Sequence, residues 1–451
     1  MRFKNALFAA AALSLAACAS VTPPVAEITA LPSSFEYADP SIEGAVPEKE
    51  WWRAFGDPSL DALIADALAA NQDIAGGLAR VRQARASVRS ANASLFPSIS
   101  GGLSTGADSA DDFSSWSSSG RASASYQLDL FGQNRASRKG ARASYDAAQF
   151  NQRALELTVE ADVAFTYFSI IALRERLQVA RDNLDISERI YGIVETRYRA
   201  GDVSGFDMAS QEASIANARA RIPSLEQQLI SLETALAVLL GRVPEGYRAP
   251  AGDALALTPP SIDIGLPSEL LLRRPDLLAA EAGLRGADAD VAAARAAFFP
   301  SIDLSAGLAA ASLTGGADLI GSLAGSLSQT VFSGGRLEAG LAGAKAGADA
   351  QIAAYRQATL NALRDVETGL VSLDTAEQRE EQLRIARDAS QRSLTLAEIR
   401  YRSGADDLTS LLNAQATFFN ASDSLVQARL DRLTAATDLF VAVGGGWGGE
   451  S

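Results

Sequence analysis

The side chains that most often carry enzyme chemistry are almost absent from this sequence. Its 451 residues include one cysteine and no histidine, which excludes a Cys/His zinc site, a histidine-based catalytic triad and an internal disulfide. Residues 102–106 match the G-x-S-x-G nucleophile motif, and residues 444–449 match G-x-G-x-x-G. Neither match lies between a predicted strand and a predicted helix, where its chemistry would need it. We therefore expect no catalytic site, no cofactor and no metal.

Two charged turns are the strongest candidates for a binding role. Each reads Arg-Tyr-Arg-x-Gly, at Arg197–Gly201 and at Arg400–Gly404. A glycine just past a helix supplies the left-handed conformation that ends it, and arginines are favourable near the negative end of the helix dipole. Capping does not explain why both turns carry Arg-Tyr-Arg beside several carboxylates. The candidate residues are Arg197, Tyr198, Gly201, Asp202, Asp207, Arg400, Tyr401, Gly404, Asp406 and Asp407.

Both turns belong to an internal duplication. Constant register at several separate landmarks is not expected by chance, and a repeat of this kind indicates two copies of the same structural elements. The matching positions are 203 residues apart in the pairs Asp73 and Asp276, Pro97 and Pro300, Tyr198 and Tyr401, Gly201 and Gly404, and Gly241 and Gly444.

The hydrophobic period of the first copy predicts three helices. Residues 72–95 have a helical pattern that Pro97 ends, because proline disfavours helical geometry in the residue before it. A second helix over about 134–197 would be roughly 95 Å long at 1.5 Å per residue. The return helix has apolar residues every seven positions, at Ile215 and Ile222 for example, which is coiled-coil spacing.

Between the first two helices of each copy, apolar and polar residues alternate as in a two-faced hairpin. The hairpins are predicted at about 97–131 and 300–332, with solvent loops at their Ser/Gly/Asp-rich tips, 105–120 and 310–318. Four strands of membrane-crossing length cannot close a barrel, and lipid does not tolerate open strand edges. The chain must therefore oligomerise, and three copies would supply twelve strands.

The N-terminal segment predicts export and lipid attachment. The basic residues Arg2 and Lys4 precede an apolar run that is too short to span a bilayer, as in a signal peptide. This run closes on Leu-Ala-Ala-Cys, which resembles a bacterial lipobox with Cys18 as the lipidated residue. The formal net charge of −14 makes nucleic acid an unlikely partner.

Several stretches together resemble the TolC-like outer-membrane efflux factors, in the lipoprotein branch that includes OprM and NodT. The two Arg-Tyr-Arg-x-Gly turns belong to this resemblance, which covers nearly the whole mature chain. The other stretches are Ser125–Gly132, Leu239–Arg242, Leu272–Asp276, Ala293–Ile302 and Gly444–Trp447.

The resemblance implies a mixed α and β membrane protein. It implies a homotrimer with a 12-stranded β-barrel, four strands from each chain, in the outer membrane of a Gram-negative bacterium. The barrel would continue into a long periplasmic 12-helix α-barrel with an equatorial belt drawn from residues 40–70, 242–272 and the C terminus. The two turns would form the periplasmic entrance and contact a periplasmic adaptor. Relatives often carry Asp in the constriction where this chain has Asn413, so a second carboxylate ring there is in doubt.

The expected domain organisation follows from the repeat and the resemblance. The two structural repeats carry the predicted tips at about 197–207 and 400–413. The segments are a signal peptide at 1–17, a lipidated N-terminal segment and equatorial linker at 18–58, a first repeat at 59–245, an inter-repeat linker at 246–265, and a second repeat with a Gly-rich tail at 266–451.

The function implied is that of an exit duct in a tripartite efflux pump. Because the sequence contains no G-x-x-x-x-G-K-[ST] nucleotide loop, the energy must come from a partner, most often an inner-membrane transporter of the resistance-nodulation-division (RND) class. A duct for type I protein secretion is the alternative within the family. A porin would predict more strands per chain, and a coiled-coil scaffold would not explain the amphipathic hairpins.

Overall fold

A computed structural model describes residues 31–38, 50–107, 116–260, 262, 264–313 and 316–445. The predicted signal peptide at 1–17, the predicted lipid site Cys18 and the end of the glycine-rich tail lie outside these residues. The chain divides into two compact units. One contains residues 89–143 and 283–356, and the other contains residues 32–88, 144–282 and 357–451.

The first copy of the repeat contains four helices and two strands, after a 3₁₀ turn at Trp51–Phe55. These elements are α1 (Pro58–Ala70), α2 (Gln72–Ala93), β1 (Ser98–Ala107), β2 (Trp116–Leu128), α3 (Gln133–Ala200) and α4 (Gly205–Leu239). The second copy repeats this order. Its elements are α5 (Leu270–Arg273), α6 (Pro275–Ala296), β3 (Ser301–Leu313), β4 (Gly316–Ser328), α7 (Arg336–Arg402) and α8 (Leu408–Ala442).

The long helices confirm the periodicity argument. α3 has 68 residues and α7 has 67, against a predicted first helix over about 134–197. The return helices α4 and α8 have 35 residues each, and their ends are 203 residues apart. Among the described residues, no helix combines the length and the apolar character that a bilayer crossing requires.

The four strands form one antiparallel sheet in the order β1-β2-β3-β4. Ser98 pairs with Ser125 in the first hairpin, and Ser301 pairs with Ser328 in the second, so the two hairpins share one register at the 203-residue offset. The prediction that the hairpin tips are solvent loops is wrong where the structure describes them. Pairing continues to Ala107 with Trp116 and to Leu313 with Gly316, because small polar residues leave the backbone ladder intact.

The register gives the sheet one apolar face and one polar face. Directly paired residues point to the same side of a sheet, and successive residues alternate between sides. The apolar face carries Ile99, Leu103, Tyr126, Ile302, Leu304, Leu308, Leu323 and Leu327. The polar face carries Ser98, Ser100, Ser104, Ser119, Ser123, Ser125, Ser305 and Ser328.

The core of the other unit joins the N-terminal segment to the long helices. Trp51 stacks on Phe440 of α8 at 5.4 Å between ring centroids, and its indole Nε1 donates to the buried Glu160 of α3 at 3.0 Å. Residues of α1 and of the segment between α4 and α5 pack in the same cluster, for example Leu60 and Ala254. The segments that the resemblance assigns to an equatorial belt therefore share one core.

The start of each copy is tied to the end of its return helix. In the first copy Asn71 Nδ2 donates to the carbonyl of Leu239 at 2.9 Å. In the second copy Arg274 Nη1 donates to the carbonyl of Ala442 at 3.0 Å. Gly241 follows the first of these helices at φ 64°, and a Cβ atom there would collide with the carbonyl of Ala70. The positive φ and the close approach together require glycine at this junction.

Candidate functional site

Each candidate turn begins with the same helix ending. Gly201 has φ 83° and Gly404 has φ 73°, so both glycines adopt the predicted left-handed conformation. The next amide donates back across the turn, from Asp202 N to the Arg197 carbonyl at 2.9 Å and from Ala405 N to the Arg400 carbonyl at 2.9 Å. These bonds form the Schellman motif, which satisfies the last carbonyls of the long helices.

The aspartates that follow the turns start the return helices. The hydroxyl of Ser204 accepts from Asp207 N at 3.4 Å, and the carboxylate of Asp207 accepts from Ser204 N at 2.8 Å, which is a capping box. Asp407 is the N-cap of α8 and accepts from Ser410 N at 2.7 Å. Ser204 and Asp407 are 203 residues apart, so equivalent positions cap the helices with different side chains.

One contact joins the two turns directly. Arg197 Nη1 donates to the carbonyl of Tyr401 at 2.9 Å, and its guanidinium carbon lies 4.8 Å from the centroid of the Tyr401 ring. A cation at this distance from an aromatic face is attracted by the ring quadrupole. The end of α3 is therefore held against the end of α7 by one arginine.

The two tyrosines have different environments although they occupy equivalent positions. The side chain of Tyr401 is 1% exposed and belongs to an apolar cluster with Ile190 and Leu411, whereas Tyr198 is 49% exposed. Burial raises the pKa of Tyr401. Its hydroxyl has no hydrogen-bond partner among the described residues. The second turn is thus anchored in the chain, while the first presents its tyrosine at the surface.

The remaining arginines pair within their own copy. Arg400 lies 3.2 Å from Asp406, and Arg402 lies 2.8 Å from Glu398 one helical turn earlier. Arg199 pairs in the same way with a glutamate of α3. The backbone amide of Asp407 and the side chain of Arg400 hold the pKa of Asp406 below its usual value. Exposed pairs of this kind each contribute only about 0.2–1 kcal/mol.

A cavity of about 730 Å³ lies between the two turns, and most of the candidate residues line it. They are Arg197, Gly201, Asp202, Asp207, Tyr401, Gly404, Asp406 and Asp407. Tyr198 and Arg400 are not part of this lining. Asn413 lies on the exposed side of α8 beyond the cap, and its backbone carbonyl accepts from Thr417. The structure therefore brings most of the predicted set together but leaves Asn413 outside the cavity.

A buried polar layer lies next to the apolar cluster of the turns, and the sequence analysis missed it. Gln415 Nε2 donates to Ser187 Oγ at 2.6 Å, and Gln211 Nε2 donates to the Ser187 carbonyl at 2.7 Å. The side-chain oxygens of both glutamines are buried without a partner among the described residues. Glutamine inside a heptad pattern is the sequence signal that could have revealed this layer, since polar core positions specify helix register.

The site offers positive and negative groups for recognition but no reaction centre. Among the described residues there is no group of three His, Cys, Asp or Glu side chains that could hold a metal ion. Two helical hairpins whose charged tips meet around a cavity, together with a sheet that has one apolar face, define a membrane-associated channel component.

The comparison with known families agrees with this class. The family model described as outer membrane efflux protein matches residues 63–242 and 266–445. The two matched segments are themselves offset by 203 residues, so each copy of the repeat matches the family once. The chain belongs to the outer membrane efflux protein family, as the resemblance to TolC-like factors predicted.

Individual relatives span nearly the whole chain. The pyoverdine export outer membrane protein OpmQ of Pseudomonas aeruginosa is 36% identical over 99% of this chain and 98% of its own. The toluene efflux pump outer membrane protein TtgC of Pseudomonas putida is 32% identical over 90% of this chain and 87% of its own. The solved outer-membrane channel OprN superposes with a TM-score of 0.86 at 29% identity, covering 95% of this chain and all of that one.

These findings confirm the predicted fold class and the predicted role in efflux. The protein is an outer-membrane efflux component, and its family consists of channel and transport proteins.

Proposed function

We propose that this chain forms a homotrimeric exit duct that passes small molecules from a periplasmic adaptor and an inner-membrane RND transporter to the outside. The observation that carries the proposal is the open sheet. Within the described residues, β1 and β4 each pair on one side only. Leu323 and Leu327 on the apolar face of β4 are strongly exposed. An unpaired strand edge is not tolerated in lipid, so neighbouring copies must complete the sheet.

Three copies give a closed wall of twelve strands, which lies within the known range of membrane barrels. Symmetric closure also explains why the edge strands differ. β1 of one copy would pair with β4 of the next, in a head-to-tail contact that closes into a ring. The polar serine face would then line the lumen, and the apolar face would contact lipid.

The two turns would form the periplasmic entrance. Their cavity, the exposed Tyr198 and the exposed Arg400–Asp406 pair present a mixed charged surface of the kind an adaptor can recognise. In this role the Arg197–Tyr401 contact holds the two hairpins of one chain together, and a docking adaptor separates them. Cys18 would carry the lipid that anchors the N terminus, and Cys18→Ser should abolish labelling by radioactive palmitate.

Small molecules are the substrates that the relatives favour, since their names describe export of pyoverdine and of toluene. Protein secretion remains the alternative to be tested. A host lacking its own outer-membrane efflux components should regain resistance to small toxic compounds when it expresses the full chain with a matching adaptor and transporter. Restored secretion of a protein substrate without restored resistance would favour the alternative.

The quaternary structure is tested by measuring the mass of the full chain in mild detergent with light scattering. We expect three chains per particle, and single-channel currents after reconstitution into planar bilayers. A stable monomer without conductance would refute the duct. Another closed stoichiometry would refute only the number three.

A further inference from the structure

We propose that Arg121 on β2 sets the charge preference of the channel and favours anionic solutes. The inference rests on the proposed function, because it requires the sheet to close into a barrel. It concerns the membrane part of the duct, which is separate from the charged turns at the other end of the long helices.

The strand register places Arg121 on the polar face. Arg121 is paired directly with Gly102 on β1 and with Ala309 on β3. Its neighbours along the same face of β2 are Ser119 and Ser123, since side chains alternate along a strand. Because the apolar face must contact lipid, this arginine points into the lumen of a closed barrel.

The residues around Arg121 cannot neutralise it or cover it. Gly102 has no side chain and Ala309 has only a methyl group, so neither strand screens the guanidinium. The serines of this face pair with one another across the strands, for example Ser100 with Ser123 at 2.9 Å and Ser104 with Ser119 at 2.7 Å. Arg121 therefore projects from a flat, neutral lining of hydroxyl groups.

The nearest acidic side chain that the structure describes on this face is Asp303. It is paired with Gln127, six residues along β2 from Arg121. At about 3.3 Å per residue the two charges are roughly 20 Å apart along the strand direction. The Debye length at physiological salt is about 8 Å, so Asp303 does not compensate the charge of Arg121.

The size of the barrel makes this charge effective. Twelve strands spaced about 4.8 Å apart and tilted by about 40° enclose a cylinder roughly 24 Å across between backbones. Three arginines, one from each chain, extend inward from this wall. Most of the cross-section then lies within about one Debye length of a guanidinium group. Rings of Arg or Lys side chains give anion selectivity in other pores.

The duplication fixes the number of arginines in the ring. The equivalent position in the second copy is Ala324 on β4. A trimer would therefore carry three arginines at this level, spaced evenly around the lumen. The first copy supplies the charge, and the second copy supplies only backbone and a methyl group.

The test is the ion selectivity of the full chain in planar bilayers under a tenfold KCl gradient. Arg121→Gln should lower the chloride-to-potassium permeability ratio by at least twofold, and Arg121→Glu should lower it further. Ser123→Gln is the matched control, because it adds the same amide side chain to the same face without changing its charge.

A second measurement uses Arg121→Cys in a Cys18→Ser background, which leaves a single thiol. A cationic trimethylammonium thiosulfonate reagent should restore the anion preference, and an anionic sulfonate reagent should reverse it. A conducting trimer whose permeability ratio is the same in all these variants would overturn this inference alone. A chain that forms no trimer and no conducting pore would overturn the proposed function together with it.

Discussion

The carboxyl group of Glu175 contacts the segment between the two copies where a second carboxylate also binds. Its Oε1 accepts from the amide of Leu255 at 3.3 Å, and Asp253 Oδ1 accepts from the same amide at 2.9 Å. Arg429 of α8 donates to the Leu255 carbonyl at 2.8 Å. Burial, followed by the proximity of Asp253, raises the pKa of Glu175 to about 7.

The sign of the pH effect follows from proton binding. With an ordinary pKa of 4.5 when the segment detaches, Glu175 binds more protons in the closed state between about pH 4.5 and pH 7. The closed state therefore loses stability as the pH rises through this interval, and the loss is complete above about pH 7. A shift of this size corresponds to about 3 kcal/mol in each chain.

Glu175→Gln should remove this penalty, because an amide stays neutral and can still accept from Leu255. The measurement is amide hydrogen exchange of residues 253–257 in the detergent-solubilised trimer at pH 5 and pH 8.5. At pH 8.5 we expect the variant to exchange more slowly than the parent chain, by up to about 100-fold. At pH 5 the two chains should exchange alike.

The matched control is Glu226→Gln. Glu226 pairs with Arg181 at 3.1 Å on an exposed surface, so its neutralisation changes the net charge equally without touching Leu255. Equal exchange of the Glu175→Gln variant and the parent chain at pH 8.5 would refute the reasoning. It would mean that Glu175 is ionised at no cost and that Asp253 alone holds the segment.

Three further variants test the turns and the junction. Arg197→Ser removes the contact with the second turn, so single-channel conductance should rise and cells should become sensitive to large antibiotics; Arg199→Ser, which breaks only an exposed pair, should change neither. Asp407→Ala removes the N-cap of α8 and should lower the free energy of unfolding by about 1 kcal/mol, and an unchanged value would show that water replaces the cap. Gly241→Val should prevent trimer formation, measured as mass in detergent, because its side chain would collide with the backbone of α1. Gly205→Ala, where an added Cβ meets open space, should assemble normally.

The features that could be predicted from the sequence are those encoded by neighbouring residues. The helix ends at Gly201 and Gly404 are local, because only a left-handed glycine stops the helix there without strain. The breaks at Pro97 and Pro300 are local for the same kind of reason. The 203-residue offset then transferred each local conclusion to the second copy, and together these signals determined the order of the elements.

The features that could not be predicted depend on contacts between distant segments. Arg197 was expected to pair with an aspartate, whereas its hydrogen bond goes to the backbone of Tyr401, 204 residues away. The extent of the hairpins was underestimated because serine and glycine are frequent in loops. A ladder of paired serine hydroxyls is visible only when the register is known. Composition describes single residues, and a ladder is a property of two strands.

The differences between the copies locate the residues most closely connected with transport. Wherever a 203-residue pair serves the backbone, its members do the same work even when their types differ. Asn71 and Arg274 both bind the end of a return helix, and Ser204 and Asp407 both cap one.

Two other pairs do not follow this rule. Tyr198 is exposed where Tyr401 is buried, and Arg121 is charged where Ala324 is neutral. Neither difference is needed to form a helix or a strand. The backbone was retained in both copies, and the side chains that diverged without structural need lie at the proposed entrance and in the proposed lumen. These are the places where an adaptor and a solute would contact the chain.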